Sequence, residues 1–289
     1  MNLSRRQFIL GTTGAGLGLI AINGFAIEPN DVEYTFHEIG TRGVGGRSIR
    51  FAQLSDLHLS GVRGLHEDIA ARLRSLDLDL LFITGDAIDS RYSLSDLNEF
   101  LGLLPREIPV YAIPGNWEYW GKVDMRALGE LYAHHNGKLL VNATETAVVR
   151  GERLQIIGVD DAVGGMPSIE TALRETPPEE HALVLAHCPI YREYLADYQQ
   201  FSASETGRIA EPVDLAAYPI ACMLSGHTHG GQVSVFGIRP FLPPGSGDYI
   251  QGWYRGRGPD MYVSRGIGTS ILPVRMGARP EVAVFTMWT

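Results

Sequence analysis

The chain is predicted to adopt an α/β fold in one domain built on two β-sheets. Two patterns point there. Between residues 47 and 134, short apolar runs alternate with stretches of helical spacing, the rhythm of parallel strands with helices packed outside. From residue 139 to residue 159, the helical spacing stops and short strand-like runs follow one another through turns, which reads as a hairpin-rich second sheet. No internal repeat or low-complexity linker divides the chain.

In order, the apolar run 49–54 reads as a buried strand ending at Ser55-Asp56, and 65–76 as a helix. Residues 78–84 form a second strand ending at Gly85-Asp86, 94–104 a helix, and 110–113 a third strand ending at Pro114-Gly115-Asn116. Helical spacing returns over 125–134. The runs 139–141, 147–149 and 154–159 are the strands of the second sheet. Residues 182–186 run apolar to His187, and 220–224 run apolar to Gly226-His227. Residues 262–264 and 282–286 are two more strands, and the polar stretch 199–212 reads as a mobile loop.

With 289 residues, 45% hydrophobic and 20% charged, the chain has ample material for a core. Its net charge of −9 argues against a nucleic-acid partner, which would want a basic face. The two cysteines, Cys188 and Cys222, sit in apolar surroundings and read as buried free thiols. At the start, Ser4-Arg5-Arg6-Gln7-Phe8-Ile9 is a twin-arginine pattern, and no charge interrupts residues 7–27. Small residues for cleavage lie around Gly24-Phe25-Ala26. Residues 1–26 therefore read as a Tat signal and 27–289 as the mature domain, exported to the periplasm or another extracytoplasmic space. A retained signal would leave it membrane-anchored. No later apolar run is long enough to span a bilayer.

Five polar sites follow five apolar strands: Asp56-x-His58, Asp86, Asn116, His187 and His227-x-His229. In α/β folds ligands gather at carboxyl ends of strands. Each site alone is a common turn or a satisfied histidine; their joint occurrence, in order and always at a strand end, carries the signal. Mixed nitrogen and oxygen donors suit Mn, Fe, Zn or Co better than Ca or Mg. Seven ligands are too many for one ion with an open position and about right for two divalent ions sharing a carboxylate.

The stretches "SDLHLS", "TGDAID", "PGNWEYW", "LAHCP" and "SGHTHGG" resemble the successive motifs of the calcineurin-like metallophosphoesterases. "GHTHGGQ" and "YVSRGIGTSILPVRMGARPEV" narrow the likeness to an exported bacterial phosphodiesterase branch, some of whose members act on UDP-diacylglucosamine. The resemblance covers nearly all of residues 48–289 and implies a four-layer αββα sandwich of two mixed sheets flanked by helices. It also implies that Asp56, His58, Asp86 and His229 hold one metal and Asp86, Asn116, His187 and His227 the other, with Asp86 as the bridge. Asp86, Asn116 and His187 would then act in catalysis through the metals, which would share a hydroxide that attacks phosphorus.

One departure stands out. Relatives usually carry a catalytic histidine where this chain has Trp117. Indole has one N–H donor and cannot surrender that proton. Trp117 can still offer a phosphoryl oxygen one hydrogen bond or a substrate a flat face. Arg265 is a candidate phosphate contact, with a salt bridge as its plainer role, and Arg63 and Arg91 are weaker candidates. Glu118, Tyr119 or His66 are candidates to approach the leaving group, and Trp120, Trp253, Tyr249 and Tyr254 to line a groove.

The leading expectation is thus a phosphodiesterase or pyrophosphohydrolase acting on an envelope phosphate, lipid-linked phosphates and the membrane surface included. A phosphomonoesterase with the same core and a non-catalytic metal- or lipid-binding protein are the alternatives. No Gly-x-Ser-x-Gly elbow, His-Glu-x-x-His helix or P-loop supports another hydrolase chemistry.

Overall fold

The computed structural model describes residues 22–43, 46–198, 213–234, 239 and 241–289. The twin-arginine stretch and the loop expected at 199–212 lie outside the described residues.

Two six-stranded sheets pack face to face. The first contains β1 (Glu33–Ile39), β2 (Ser48–Leu54), β3 (Leu80–Thr84), β4 (Val110–Ile113), β5 (Gly137–Leu139) and β12 (Glu281–Trp288). Strands β2 to β5 lie side by side and parallel, joined by crossovers that carry α1 (Gly64–Ser75), α2 (Leu94–Leu103), α3 (Asn116–Trp120) and α4 (Met125–His134). The C-terminal β12 returns antiparallel to β2, and β1 adds parallel to β12. The second sheet runs β10-β11-β9-β8-β7-β6. These strands are β6 (Ala143–Val149), β7 (Glu152–Gly158), β8 (His181–Leu185), β9 (Ile220–Ser225), β10 (Gly252–Tyr254) and β11 (Met261–Val263). Short helices α5 (Ile169–Ala172) and α6 (Tyr191–Ala196) lie on its outer side.

The alternation of side chains builds four layers. Leu81 and Ile83 of β3 face out against Ile69 and Leu73 of α1, Leu97 and Phe100 of α2 and Leu128 of α4. Leu80 and Phe82 of the same strand face in, where they meet Ile156, Leu183, Leu185 and Leu224 of the second sheet. Ala182 and Val184 face the other way, against Ile169 of α5 and Tyr191 and Leu195 of α6. At the centre Phe51 stacks on Phe285 at 5.0 Å and meets Phe82 edge-on. Both cysteines are free and buried.

The register positions the site. Leu54 pairs with Ile83 and Thr84 with Ile113, so β2, β3 and β4 end level and their following loops emerge together. Leu185 pairs with Leu224, which does the same for β8 and β9.

Two expectations need correction. The run near 139–141 does not open the second sheet; β5 pairs with β4 and closes the first. The second sheet is not hairpin-rich either: β7, β8, β9 and β11 are parallel, and only its two edge pairs are antiparallel. Two strands, β1 and β10, carry no clear signal, because β1 is mostly half-exposed and interrupts its apolar residues with Glu33, His37 and Glu38, and β10 has three residues. Ahead of β1, the helical turn Asn23–Ile27 packs on the fold. Gly24 is buried, and its carbonyl accepts the Arg275 N–H at 2.9 Å. The buried carboxylate of Glu28 accepts the Ala278 N–H at 2.8 Å.

Candidate metal centre

The turns that follow β2, β3 and β9 share an unusual backbone. Asp56, His58, Asp86, His227 and His229 all have positive φ, between 45° and 73°. Such left-handed conformations cost about 1–3 kcal/mol each for residues other than glycine, and they persist only where surrounding contacts enforce them. Each of these five residues turns its side chain into one buried space at the common end of the two sheets.

Two clusters form there. In one, Asp56, His58 and His229 bring a ligand atom each within 4.8 Å of the others. His58 Nε2 lies 3.0 Å from His229 Nε2, and His229 Nε2 lies 3.4 Å from Asp56 Oδ1. In the other, Asp86, His187 and His227 meet in the same way. His187 Nε2 lies 3.1 Å from Asp86 Oδ2 and 3.2 Å from His227 Nδ1. Asp86 Oδ2 is also 3.9 Å from His58 Nε2, so this carboxylate faces both clusters. Asn116, at the start of α3, is buried, and its Oδ1 has no hydrogen-bond partner. An orphaned amide oxygen beside facing imidazole nitrogens and two carboxylates is a donor set that fits two divalent cations.

The far nitrogens of the rings are fixed. His187 Nδ1 donates to the Thr84 carbonyl at 2.8 Å, and His227 Nε2 donates to the Pro244 carbonyl at 2.7 Å. A bound cation would then meet an unprotonated nitrogen of each ring on the side of Asp86; without one, burial is outweighed by the Asp86 carboxylate, which raises the His187 pKa well above the usual histidine range. Asp89 pairs with Nδ1 of His58. The guanidinium of Arg275 stands 3.3 Å from Nδ1 of His229. Burial, with His58 and Arg275 nearby, pushes the His229 pKa far below the usual histidine range and keeps its imidazole neutral. Burial alone would raise the Asp86 pKa, but the His187 and His58 rings reverse this and hold it at about 2.

The loops are held by backbone capture. Glu118, wholly buried in α3, accepts from the N–H groups of Asp86 (3.1 Å), Ala87 (2.7 Å), Ile88 (3.2 Å) and Gly115 (2.8 Å). Burial and the nearby Asp86 raise its pKa to about 7. The Trp117 N–H in turn donates to Asp86 Oδ1 at 2.9 Å. Asp56 takes the His227 N–H on both carboxylate oxygens at 3.0 Å, which ties the β9 turn to the β2 turn. Close approach explains two glycines: a Cβ at Gly115 would collide with Asp86, and one at Gly226 with Ser55 and Asp56.

The structure thus brings Asp56, His58, Asp86, Asn116, His187, His227 and His229 into one centre and separates other candidates from it. Trp117 stays close, half-buried, edge-on to His58 at 6.0 Å and to Trp120 at 5.4 Å between ring centroids. Arg265 is corrected from a phosphate contact to an ion pair. Its Nη2 lies 2.6 Å from Glu33 and 3.2 Å from Glu281. His66 lies in the core, edge-on to Phe100, its Nδ1 accepting the Arg63 N–H. Tyr119 donates to Asp160, and Glu118 accepts from backbone N–H groups. Arg91 stacks over Tyr92 at the surface. Trp253 packs with His37, Tyr262 and Phe285, while Tyr249 bonds Glu193 and Arg192, so these aromatics do not share a groove with Trp120.

Sequence reasoning missed Asp89, Arg275 and the true role of Glu118. Asp89 lies inside "TGDAID" and Glu118 inside "PGNWEYW", so proximity to ligands was the available signal. Nothing local marks Arg275, which reaches His229 from a loop 46 residues away.

Glu118→Gln would set an amide NH₂ against backbone N–H groups. It should lower stability by about 1–3 kcal/mol in urea unfolding and weaken divalent-metal affinity roughly 10–100-fold by titration. Unchanged metal affinity would show that the clamp does not shape the centre.

Comparison with known proteins agrees with this geometry. The family model described as calcineurin-like phosphoesterase matches residues 49–231. The chain is 28% identical over 305 residues to an uncharacterized metallophosphoesterase, YkuE, of Bacillus subtilis (strain 168), covering 99% of this chain and 98% of that one. It is 27% identical over 296 residues to phosphodiesterase YaeI of Escherichia coli (strain K12), covering 99% of each. A solved 5′-nucleotidase precursor from Thermus thermophilus aligns with 83% of this chain and 54% of its own, at 16% identity and a TM-score of 0.46. The chain belongs to the calcineurin-like phosphoesterase family and is a metal-dependent phosphoester hydrolase.

Proposed function

We propose that this protein is a binuclear phosphodiesterase or pyrophosphohydrolase that acts on phosphate esters with acidic leaving groups. The observation that carries the reading is the convergence of seven buried donor side chains, five of them on left-handed backbone, around Asp86. Asp56, His58, Asp86 and His229 would hold one divalent cation, and Asp86, Asn116, His187 and His227 the other. The cations would supply positive charge for the phosphoryl oxygens and lower the pKa of attacking water.

The chain's own groups do the rest. Hydrogen bonds from His187 to Thr84 and from His227 to Pro244 aim both rings at Asp86. The Trp117 N–H steadies Asp86 Oδ1, leaving Oδ2 for the two clusters. Beside His58, where a proton donor would serve the departing oxygen, stands the Trp117 ring. Indole donates no proton, so a poor leaving group gains nothing there. Aryl alcohols and phosphates need less help, which favours aryl diesters and pyrophosphates. The likeness to a protein named phosphodiesterase over 99% of both chains supports diesters over monoesters.

An envelope substrate, lipid-linked or not, and export by the Tat machinery belong to the same proposal. They rest on the twin arginines Arg5-Arg6 ahead of an uncharged run from residue 7 to residue 27. Metal identity is left to the donor set, which suits Mn, Fe, Zn or Co.

With Mn²⁺, the protein should hydrolyse bis-p-nitrophenyl phosphate faster than p-nitrophenyl phosphate, and Asp86→Asn should abolish the reaction. Absence of hydrolysis with any divalent metal refutes the reading, and full activity in the variant refutes the shared carboxylate. Trp117→His should raise rates on alkyl diesters more than on aryl diesters, by up to roughly 10²-fold; equal effects on both would contradict the leaving-group argument. Arg5→Lys with Arg6→Lys should hold the chain in the cytoplasm in a fractionation assay, whereas undiminished export would remove the Tat assignment.

A further inference from the structure

We propose that one edge of the molecule, formed by the helical turn Asn23–Ile27 and the loop 268–278, is a surface for docking on a lipid bilayer. This does not depend on the hydrolytic reading, and it concerns the chain that retains its first residues rather than one cleaved near Gly24-Phe25-Ala26. Gly24 seats against Val274 and Met276, so the turn that carries Ile22, Phe25 and Ile27 packs on that loop. All three are more than half exposed, at 55%, 57% and 55%. At the tip, Ile271 is 78% and Leu272 59% exposed.

Three features set this edge apart from ordinary scattered surface apolar residues. It lacks exposed charge. Residues 22–27 carry none, and from Gly266 to Ala278 the single charged side chain is Arg275, which is wholly buried. The neighbouring charges are taken up as well: Glu28 is buried on the Ala278 N–H, and Asp31 pairs with Arg279. The apolar side chains of these two stretches can therefore leave water without desolvating an ion of their own, while the Asp31–Arg279 pair beside them stays about half exposed. It is also held in place. Gln232 donates to the carbonyls of Ser270 (3.1 Å) and Leu272 (3.0 Å) and accepts the Ser270 N–H at 2.9 Å. That clamp holds Ile271 at φ 63°, a left-handed conformation unusual for a β-branched residue and one that keeps it outward. Finally, the edge is coupled to the metal centre. Gln232 follows His229 by three residues, and Arg275 reaches from this loop to His229.

The occupant is argued from the chain itself. The uncharged run of residues 7–27 leads straight into Ile22, Phe25 and Ile27. A partner for this edge must accept exposed apolar side chains from both the turn and the loop, and the acyl region of a bilayer accepts both. Insertion of Ile, Leu and Phe side chains at the interface would set the loop that holds His229 at the membrane surface, within reach of substrates carried by lipids.

The test uses the full chain. Cys188 and Cys222 are buried, so an environment-sensitive thiol probe on Ile271→Cys, or on Leu272→Cys if the strained position disturbs folding, reports the loop tip alone. Val148→Cys on β6 is the exposed control. Vesicles of phosphatidylethanolamine and phosphatidylglycerol should blue-shift and brighten the loop probe and leave the control unchanged. The double variant Ile271→Ser with Leu272→Ser should lose about 10-fold or more in vesicle affinity. A chain that binds vesicles with the loop probe unshifted would be held by its N-terminal run alone, which overturns the proposal. So would a probe shielded in buffer without lipid, by the chain's own first residues if independent of protein concentration or by a second copy if dependent on it. No binding at all would overturn it too.

Discussion

The centre depends on how the chain leaves β3. Asp86 must face two clusters at once, and it can do so only from a left-handed backbone, at φ 51°. Glu118 enforces that turn by gathering the N–H groups of residues 86, 87 and 88 together with that of Gly115. One buried carboxylate therefore fixes the position of Asp86 and the start of α3, where Asn116 stands. Four backbone donors offset the cost of burying it, a cost whose remainder is visible in its raised pKa.

Neither sheet holds the site alone. The first contributes Asp56, His58, Asp86 and Asn116; the second contributes His187, His227 and His229. Hydrogen bonds stitch the halves together at the rim of the apolar layer between the sheets. His187 donates to Thr84, the His227 N–H donates to Asp56, and Gln53 donates to the Ser225 carbonyl at 2.9 Å. The interlayer packing of Phe51, Phe82, Leu183 and Leu224 keeps these bonds short and dry. Loss of packing there would separate the ligand sets before it unfolded either sheet, because each cluster draws members from both.

Arg265 and Arg275 illustrate how position decides what a guanidinium does. Arg265 meets Glu33 and Glu281 and is spent on joining β1 to the end of β11. Arg275 has no carboxylate within hydrogen-bonding range among the described residues; it donates to the carbonyls of Gly268 and Ala278 and stands behind His229. Complete burial lowers its pKa to about 10, which still leaves it charged at neutral pH. Its positive field adds to burial and to His58 in keeping the His229 ring neutral, and its backbone N–H ties the centre to the turn Asn23–Ile27.

What the sequence determined by itself was the parallel half of the fold and the identity of the donors. Apolar strands followed by Asp, Asn or His are local signals, and they survive without tertiary knowledge because strand and ligand are adjacent in the chain. The helix Met125–His134 matches its spacing for the same reason. Tertiary structure alone decided the rest. Whether β5 joins the first sheet or the second depends on a pairing with β4 across a helical crossover, not on its own three residues. The edge strand β1 is a strand because β12 offers it hydrogen bonds, not because its half-exposed residues alternate cleanly. Arg265 and Arg275 sit ten residues apart in similar company, and only their partners in space distinguish an ion pair from the support of a ligand. The same holds for "PGNWEYW": sequence named Asn116 and Trp117, while the role of Glu118 emerged only when four N–H groups from two loops converged on one carboxylate.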